Sequence, residues 1–203
     1  MLTELHEARM SAVMAALAHG NVRSVMDLGC GSGTLLTRLL ADARYERILG
    51  KDRSGIAVQE IRRHTEVVTA EASGRLVLLA GSYLEFDPRL QGYDAATMVE
   101  SIEHLDPGHL SQVESTVLVR YRPGILIVTT PNVEFNELYG LAPGTLRDPD
   151  HRFEWSRAKF RQWANGVAQR CGYRTRFAAI GPLHPDLGSP TQMAIFERIA
   201  AGD

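Results

Sequence analysis

Cysteine is nearly absent from this chain: Cys30 and Cys171 are the only two in 203 residues. Two thiols so far apart exclude a disulfide framework and a cysteine-ligated zinc site, and a reducing, cytoplasmic interior is the expectation. Lysine is equally scarce, with Lys51 and Lys159 alone, so arginine carries almost all the basic charge. No apolar run approaches the roughly 18 residues of a membrane span, so no membrane contact is expected. The first twenty residues, MLTELHEARMSAVMAALAHG, place acids before their apolar positions and lack a basic n-region, unlike a secretion or organelle signal. Excess charge is missing too. Twenty-two Lys+Arg face 24 Asp+Glu, a net charge of -2, which argues against coating nucleic acid by bulk attraction but not against gripping one end. Disorder is excluded by a hydrophobic content of 44%.

What is present reads as a single domain, residues 1–203, of ordinary size. Apolar residues at Leu2, Leu5, Met10, Val13, Met14 and Leu17 predict a helix ended by Gly20. Short buried strands follow at 22–29, 46–52, 75–81, 93–100 and 124–130, with helices expected over 33–42, 54–70 and 102–120. Residues 131–155, rich in Pro, Asn, Gly and Asp, have no clean period and read as a long irregular insertion, the kind of loop that is usually functional. A helix over 156–170 and strands over 172–181 and 190–199 close the chain. Alternating strands and helices predict an α/β fold, doubly wound around a mostly parallel seven-stranded sheet. Charge is uneven: residues 147–176 hold eight Arg or Lys and three acids, whereas residues 1–146 hold 13 basic and 18 acidic side chains. That asymmetry fits either a polyanion contact or a solvated helix face.

The first strand runs into Met26-Asp27-Leu28-Gly29-Cys30-Gly31-Ser32-Gly33. Gly29 and Gly31 would let the backbone pass close under a ligand where open α/β sheets bind one. Asp52, at the end of the second strand, is placed to accept hydrogen bonds from a ribose diol. Asp27 would repel a pyrophosphate but suits a ligand with a positive centre and an amino group. No GxxxxGK[ST] is present, so a triphosphate cradle is not supported. The pattern resembles the class I S-adenosylmethionine-dependent methyltransferases, a Rossmann-like family with D-x-G-x-G-x-G at this place. That resemblance implies a ribose contact at Asp52 and an adenine lining at Gly81 and Ser82.

After the fourth strand stand Glu100, Glu103 and His104. On a helix they share an arc of about 100°. Two carboxylates and an imidazole suit a divalent ion, although metal-free methyltransferases resemble E-x-x-E-H here as well. His151 lies in the dense octapeptide Asp148-Pro149-Asp150-His151-Arg152-Phe153-Glu154-Trp155, on the same rim of the sheet. Phe153 and Trp155 are expected to anchor the loop rather than stack on bases. Asn132, Glu134 and Asn136 either line a rim or cap a turn.

Three blocks, E-S-I-E-H-L-D at 100–106, T-T-P-N-V-E-F-N at 129–136 and D-H-R-F-E-W-S-R at 150–157, together resemble the small-RNA 3'-terminal 2'-O-methyltransferase family. Its members include the plant microRNA, animal piRNA and bacterial RNA-repair enzymes. The resemblance implies metal ligands and catalytic residues at Glu100, Glu103, His104 and His151, with cofactor contacts at Asp27, Asp52 and Ser82 and at Arg9 beside the methionine carboxylate. The implied substrate is the 3' end of RNA, whose vicinal 2'- and 3'-hydroxyls would fill two adjacent corners of an octahedral ion. The ion would lower the pKa of the 2'-hydroxyl for direct attack on the sulfonium methyl. Mn2+ is expected first, with Co2+ and Mg2+ behind it. Asp148 departs from the His of many members. Bacterial relatives also carry an N-terminal half that engages a polynucleotide kinase–phosphatase–ligase; it is not among these 203 residues, which read either as an excised methyltransferase domain or as a stand-alone form. The rival readings are a metal-independent small-molecule O-methyltransferase and a non-catalytic binding module.

Overall fold

Apolar residues alternate between two faces along the strands. Val25, Ile48, Ala95 and Ile127 pack to one side, while Met26, Leu49, Ala96 and Val128 pack to the other. The computed structural model describes residues 2–200. Within it, β1 (Ser24–Leu28), β2 (Arg47–Asp52), β3 (Leu76–Ala80), β4 (Ala95–Val99), β5 (Ile125–Pro131), β6 (Tyr173–Ile180) and β7 (Thr191–Arg198) form one sheet. Its order is β3-β2-β1-β4-β5-β7-β6. The first five strands are parallel, and β7 runs antiparallel between β5 and β6. Strands buried on both faces need helices on both, as parallel sheets do.

On one face lie α1 (Leu2–Ala18), α2 (Thr34–Ala41), α3 (Gly55–Ile61) and α4 (Thr65–Ala72), packed through Val13, Leu17, Leu36, Leu39, Val58 and Val67. The other face carries α5 (Leu110–Val113), which continues as a wider π-type winding over Glu114–Tyr121, and α6 (Arg157–Cys171). These pack through Val113, Val117, Phe160, Ala164 and Val167. Ser156 caps α6 by accepting from the Lys159 amide, and Gly172 ends it in a left-handed conformation.

Two predicted helices differ in the structure. The one over 54–70 is broken into α3 and α4 at Arg62–His64. The one over 102–120 begins only at Leu110, preceded by 3-10 turns at Ile102–His104 and Pro107–His109. Asp106 is held extended before Pro107 and caps the next turn by accepting from the Gly108 amide, which delays the helix. Residues 131–155 remain irregular apart from a 3-10 segment, Val133–Tyr139. Among the described residues no helix is long and apolar enough to cross a membrane. Strand order reverses between β1 and β4, so a crevice opens at the carboxyl ends of those strands, where such sheets take their ligands.

Candidate active site

The glycine loop leaves β1 with Gly29 at φ 82 and Gly31 at φ 50. A Cβ on Gly29 would come within 2.8 Å of Ser101 Cβ, whereas one on Gly31 would meet nothing within 4 Å. Packing therefore demands the first glycine; the second is required by its backbone angle and borders open space. Both line a cavity of about 330 Å³ bounded also by Asp52, Arg53, Ser82, Tyr83, Glu100, His104 and Asp150. They border a second one, about 200 Å³, with Arg9, Asp27 and Glu100.

Asp52 is held at the wall by the amides of Gly31 and Ser54, both 2.8 Å away, which leaves acceptor capacity for a further partner. Asp27 is buried and accepts from Thr97 Oγ1 at 2.8 Å. Burial, reinforced by the nearby Asp52 charge and opposed by Thr97, pushes Asp27 up to about 7. Arg9 reaches Glu100 Oε2 at 2.9 Å and Thr191 Oγ1 at 3.2 Å, and its Nε is buried without a partner.

Glu100, Glu103 and His104 do not share an α-helical face. Glu100 stands before the 3-10 turn with φ 48, a left-handed angle that costs a side-chain-bearing residue about 1–3 kcal/mol. Its amide and Oε1 are held by Thr129, while Oε2 turns to Arg9. Glu103 is fully buried; Oε2 accepts from Thr130 Oγ1 at 3.1 Å, and Oε1 has no partner among the described residues. Burial and repulsion from Glu100 hold the Glu103 carboxyl well above the usual range. A buried orphan oxygen under that repulsion is what a bound cation would relieve.

Ligand atoms of Glu103, His104 and His151 lie within 4.8 Å of one another, and the two imidazole centroids are 4.9 Å apart. Glu100, the fourth expected ligand, lies outside that cluster but borders both cavities. Burial first and then the neighbouring His151 depress His104, favouring the neutral imidazole that ligates metals. His104 Nδ1 lies 3.3 Å from the Asp150 carbonyl. The residues present thus fit a divalent ion at Glu103, His104 and His151.

Several anchors deliver His151. The Arg152 amide donates to Glu103 O at 2.7 Å, and the Val133 amide to Trp155 O at 3.2 Å. Phe153 and Trp155 are buried and stacked at 4.4 Å, so they anchor the loop. Asn132 caps the 133–139 turn and donates to Leu187 O and Ser189 O; Glu134 pairs with Arg157; Asn136 donates to Glu154. Asp148 is exposed and accepts from the Asp150 amide within its own turn.

Sequence reasoning passed over Glu154, Arg147 and Thr130. Glu154 Oε1 receives His151 Nδ1 at 2.6 Å and the Arg147 amide at 2.7 Å, and Oε2 receives Asn136 Nδ2 at 2.7 Å. Burial alone would raise Glu154, but bonds from His151, Asn136 and Arg147 hold it below the ordinary glutamate range. The i, i+3 spacing of His151 and Glu154 was visible, yet in a loop it predicts no contact.

Comparison with known proteins identifies the family. A family described as a methyltransferase domain matches residues 25–124. The chain is 33% identical to small RNA 2'-O-methyltransferase of Mus musculus, over 96% of this chain and 51% of that protein. Against the Arabidopsis thaliana protein of the same name it is 33% identical, over 97% of this chain and 23% of the relative. The chain thus spans about half of the mouse protein and about a quarter of the plant one. The crystal structure of the methyltransferase domain of bacterial CtHen1 superposes with a TM-score of 0.84 at 40% identity, covering 95% of this chain and 99% of that one. That of the small RNA methyltransferase HEN1 gives 0.87 at 32%, over 98% and 26%. A sheet with the class I methyltransferase order, a glycine loop that shares a cavity with His104, and likeness along nearly its whole length place this chain in the Hen1 family of small RNA 2'-O-methyltransferases.

Proposed function

We propose that this domain transfers a methyl group from S-adenosylmethionine to the 2'-hydroxyl of the 3'-terminal nucleotide of RNA, with a divalent ion, Mn2+ before Co2+ or Mg2+. One observation carries the reading: a single cavity of about 330 Å³ is lined by Gly29, Gly31, Asp52 and Ser82 together with Glu100, His104 and Asp150. A donor held by the glycine loop and an acceptor held by the Glu-His-His cluster would share that space.

In this scheme Asp52 accepts from the cofactor ribose, Asp27 faces its amino group and Arg9 its carboxylate. Glu103, His104 and His151 hold the ion, and Glu100 joins them by turning from Arg9. Bound there, the ion would supply Lewis acidity to the hydroxyls of a terminal diol. An internal ribose, its 3' oxygen in a phosphodiester, offers only one hydroxyl. Buried Phe153 and Trp155 hold His151 in place while the reaction proceeds. The biological setting on this reading is protection of RNA ends, in repair or in small-RNA stabilisation. A kinase–phosphatase–ligase partner belongs to the repair case; a solved structure titled the Pnkp1/Rnl/Hen1 RNA repair complex shares the fold at 19% identity.

The test is transfer of labelled methyl to a short RNA with Mn2+, set beside the same RNA oxidised by periodate, ending in a 3'-phosphate, or carrying a terminal 2'-deoxyribose. Only the intact diol is expected to react, and EDTA should stop it. Turnover that survives the chelator would favour a metal-independent O-methyltransferase instead.

A further inference from the structure

Glu154 has a side chain with no exposure to solvent, in an octapeptide (148–155) whose other acids, Asp148 and Asp150, are exposed. Burying a carboxylate is unfavourable unless its charge is used. Three donors converge on it: His151 Nδ1, Asn136 Nδ2 and the Arg147 amide. The Arg147 guanidinium hydrogen-bonds elsewhere, to the carbonyls of Asn132 and Pro190 and to Asn136 Oδ1. The shortest of the three contacts is to the imidazole, at 2.6 Å. An acceptor needed only to tie the loop together would not have to be charged or to meet His151.

We propose that Glu154 is a positioning residue for the metal centre: it accepts the Nδ1 proton of His151, fixes that tautomer, and leaves Nε2 as the unprotonated nitrogen for the ion. The inference rests on the metal reading above and extends it to a residue outside the ligand set. A carboxylate behind a ligating imidazole orients the ring and strengthens it as a donor. Asn136 and Arg147 hold the carboxylate in turn. Arg147 also ties the 132–139 segment to Pro190, so the brace joins three loops before any ion arrives.

Two measurements test this, neither requiring turnover. The first is the long-range proton–nitrogen NMR spectrum of His151 in the metal-free wild-type protein, expected to show Nδ1–H and a bare Nε2. The second is Mn2+ affinity, read by electron paramagnetic resonance for wild type, Glu154→Gln and Glu154→Ala. Loss of about ten- to a hundredfold is expected, larger for alanine, with S-adenosylmethionine affinity retained. An Nε2–H tautomer in the wild type overturns the proposal, and so does Mn2+ affinity within about twofold of wild type in Glu154→Gln, where tenfold or more is expected. If the alanine variant does not fold, the glutamine variant and the wild-type spectrum still decide. A wild type that binds no Mn2+ overturns the metal reading itself; one that binds it while the variants bind equally well removes only Glu154.

Discussion

Asp27 concentrates the tension between stability and binding in one carboxyl group. Its folded value of about 7 stands above the 3.8 of an exposed aspartate, so the unfolded chain gives up that proton more readily. The contribution of Asp27 to stability is therefore full below about pH 4 and is lost as pH rises to about 7. Asp27→Asn should raise Tm above pH 7, with the gain shrinking toward pH 4 in thermal scans. The same substitution should weaken S-adenosylmethionine binding in calorimetry, because the carboxylate proposed to face the cofactor's amino group is gone. In the wild type, cofactor affinity should fall by up to about tenfold per pH unit below 7, with a proton released on binding. Gly29 carries the opposite constraint. Gly29→Ala adds a Cβ 2.8 Å from Ser101 Cβ at a positive φ, and should cost about 1–3 kcal/mol in urea denaturation.

At the level of elements, the fold holds the 148–155 loop by aromatic packing. Phe153 and Trp155 join Trp163 and Phe160 of α6 in one buried cluster. Trp155→Ala should cost about 3–5 kcal/mol in denaturant melts. On the proposed function it should also weaken Mn2+ binding while sparing S-adenosylmethionine binding. Retained Mn2+ affinity in a folded variant would show that the loop is held without the indole. The strands and α6 were legible in the sequence because period and caps are local properties: Ser156 and Gly172 mark both ends of α6. The 102–120 segment was not. Its apolar spacing suits a helix, but Pro107 and the Asp106 cap break the first turns, and Glu100 takes a left-handed angle.

Over the whole molecule, the basic segment resolves into two kinds of side chain. Arg157, Arg170, Arg174 and Arg176 are paired with Glu134, Glu114 and Glu197, and Arg147 is turned inward. Arg152, Lys159 and Arg161 are exposed; Lys159 and Arg161 lie over the Trp155 and Phe177 rings. These three are the candidates for RNA phosphates. Removing Arg152 or Lys159 should lower the salt dependence of RNA binding, each by about 0.7 in the logarithmic slope, whereas Arg174→Ala should leave it unchanged. Equal slopes in all variants would place the RNA on another face.

Sequence alone determined the sheet architecture and the glycine loop with Asp27 and Asp52, because each follows from short-range pattern, and it named Glu103, His104 and His151 through a family resemblance, together with Glu100, which lies outside their cluster. Tertiary structure decided that Glu103, His104 and His151 converge while Glu100 pairs with Arg9. It also decided that Glu154 stands behind His151. Those contacts depend on how β4, β5 and the 131–155 loop end beside one another, and the direction of a side chain at an irregular chain end has no period from which it can be read.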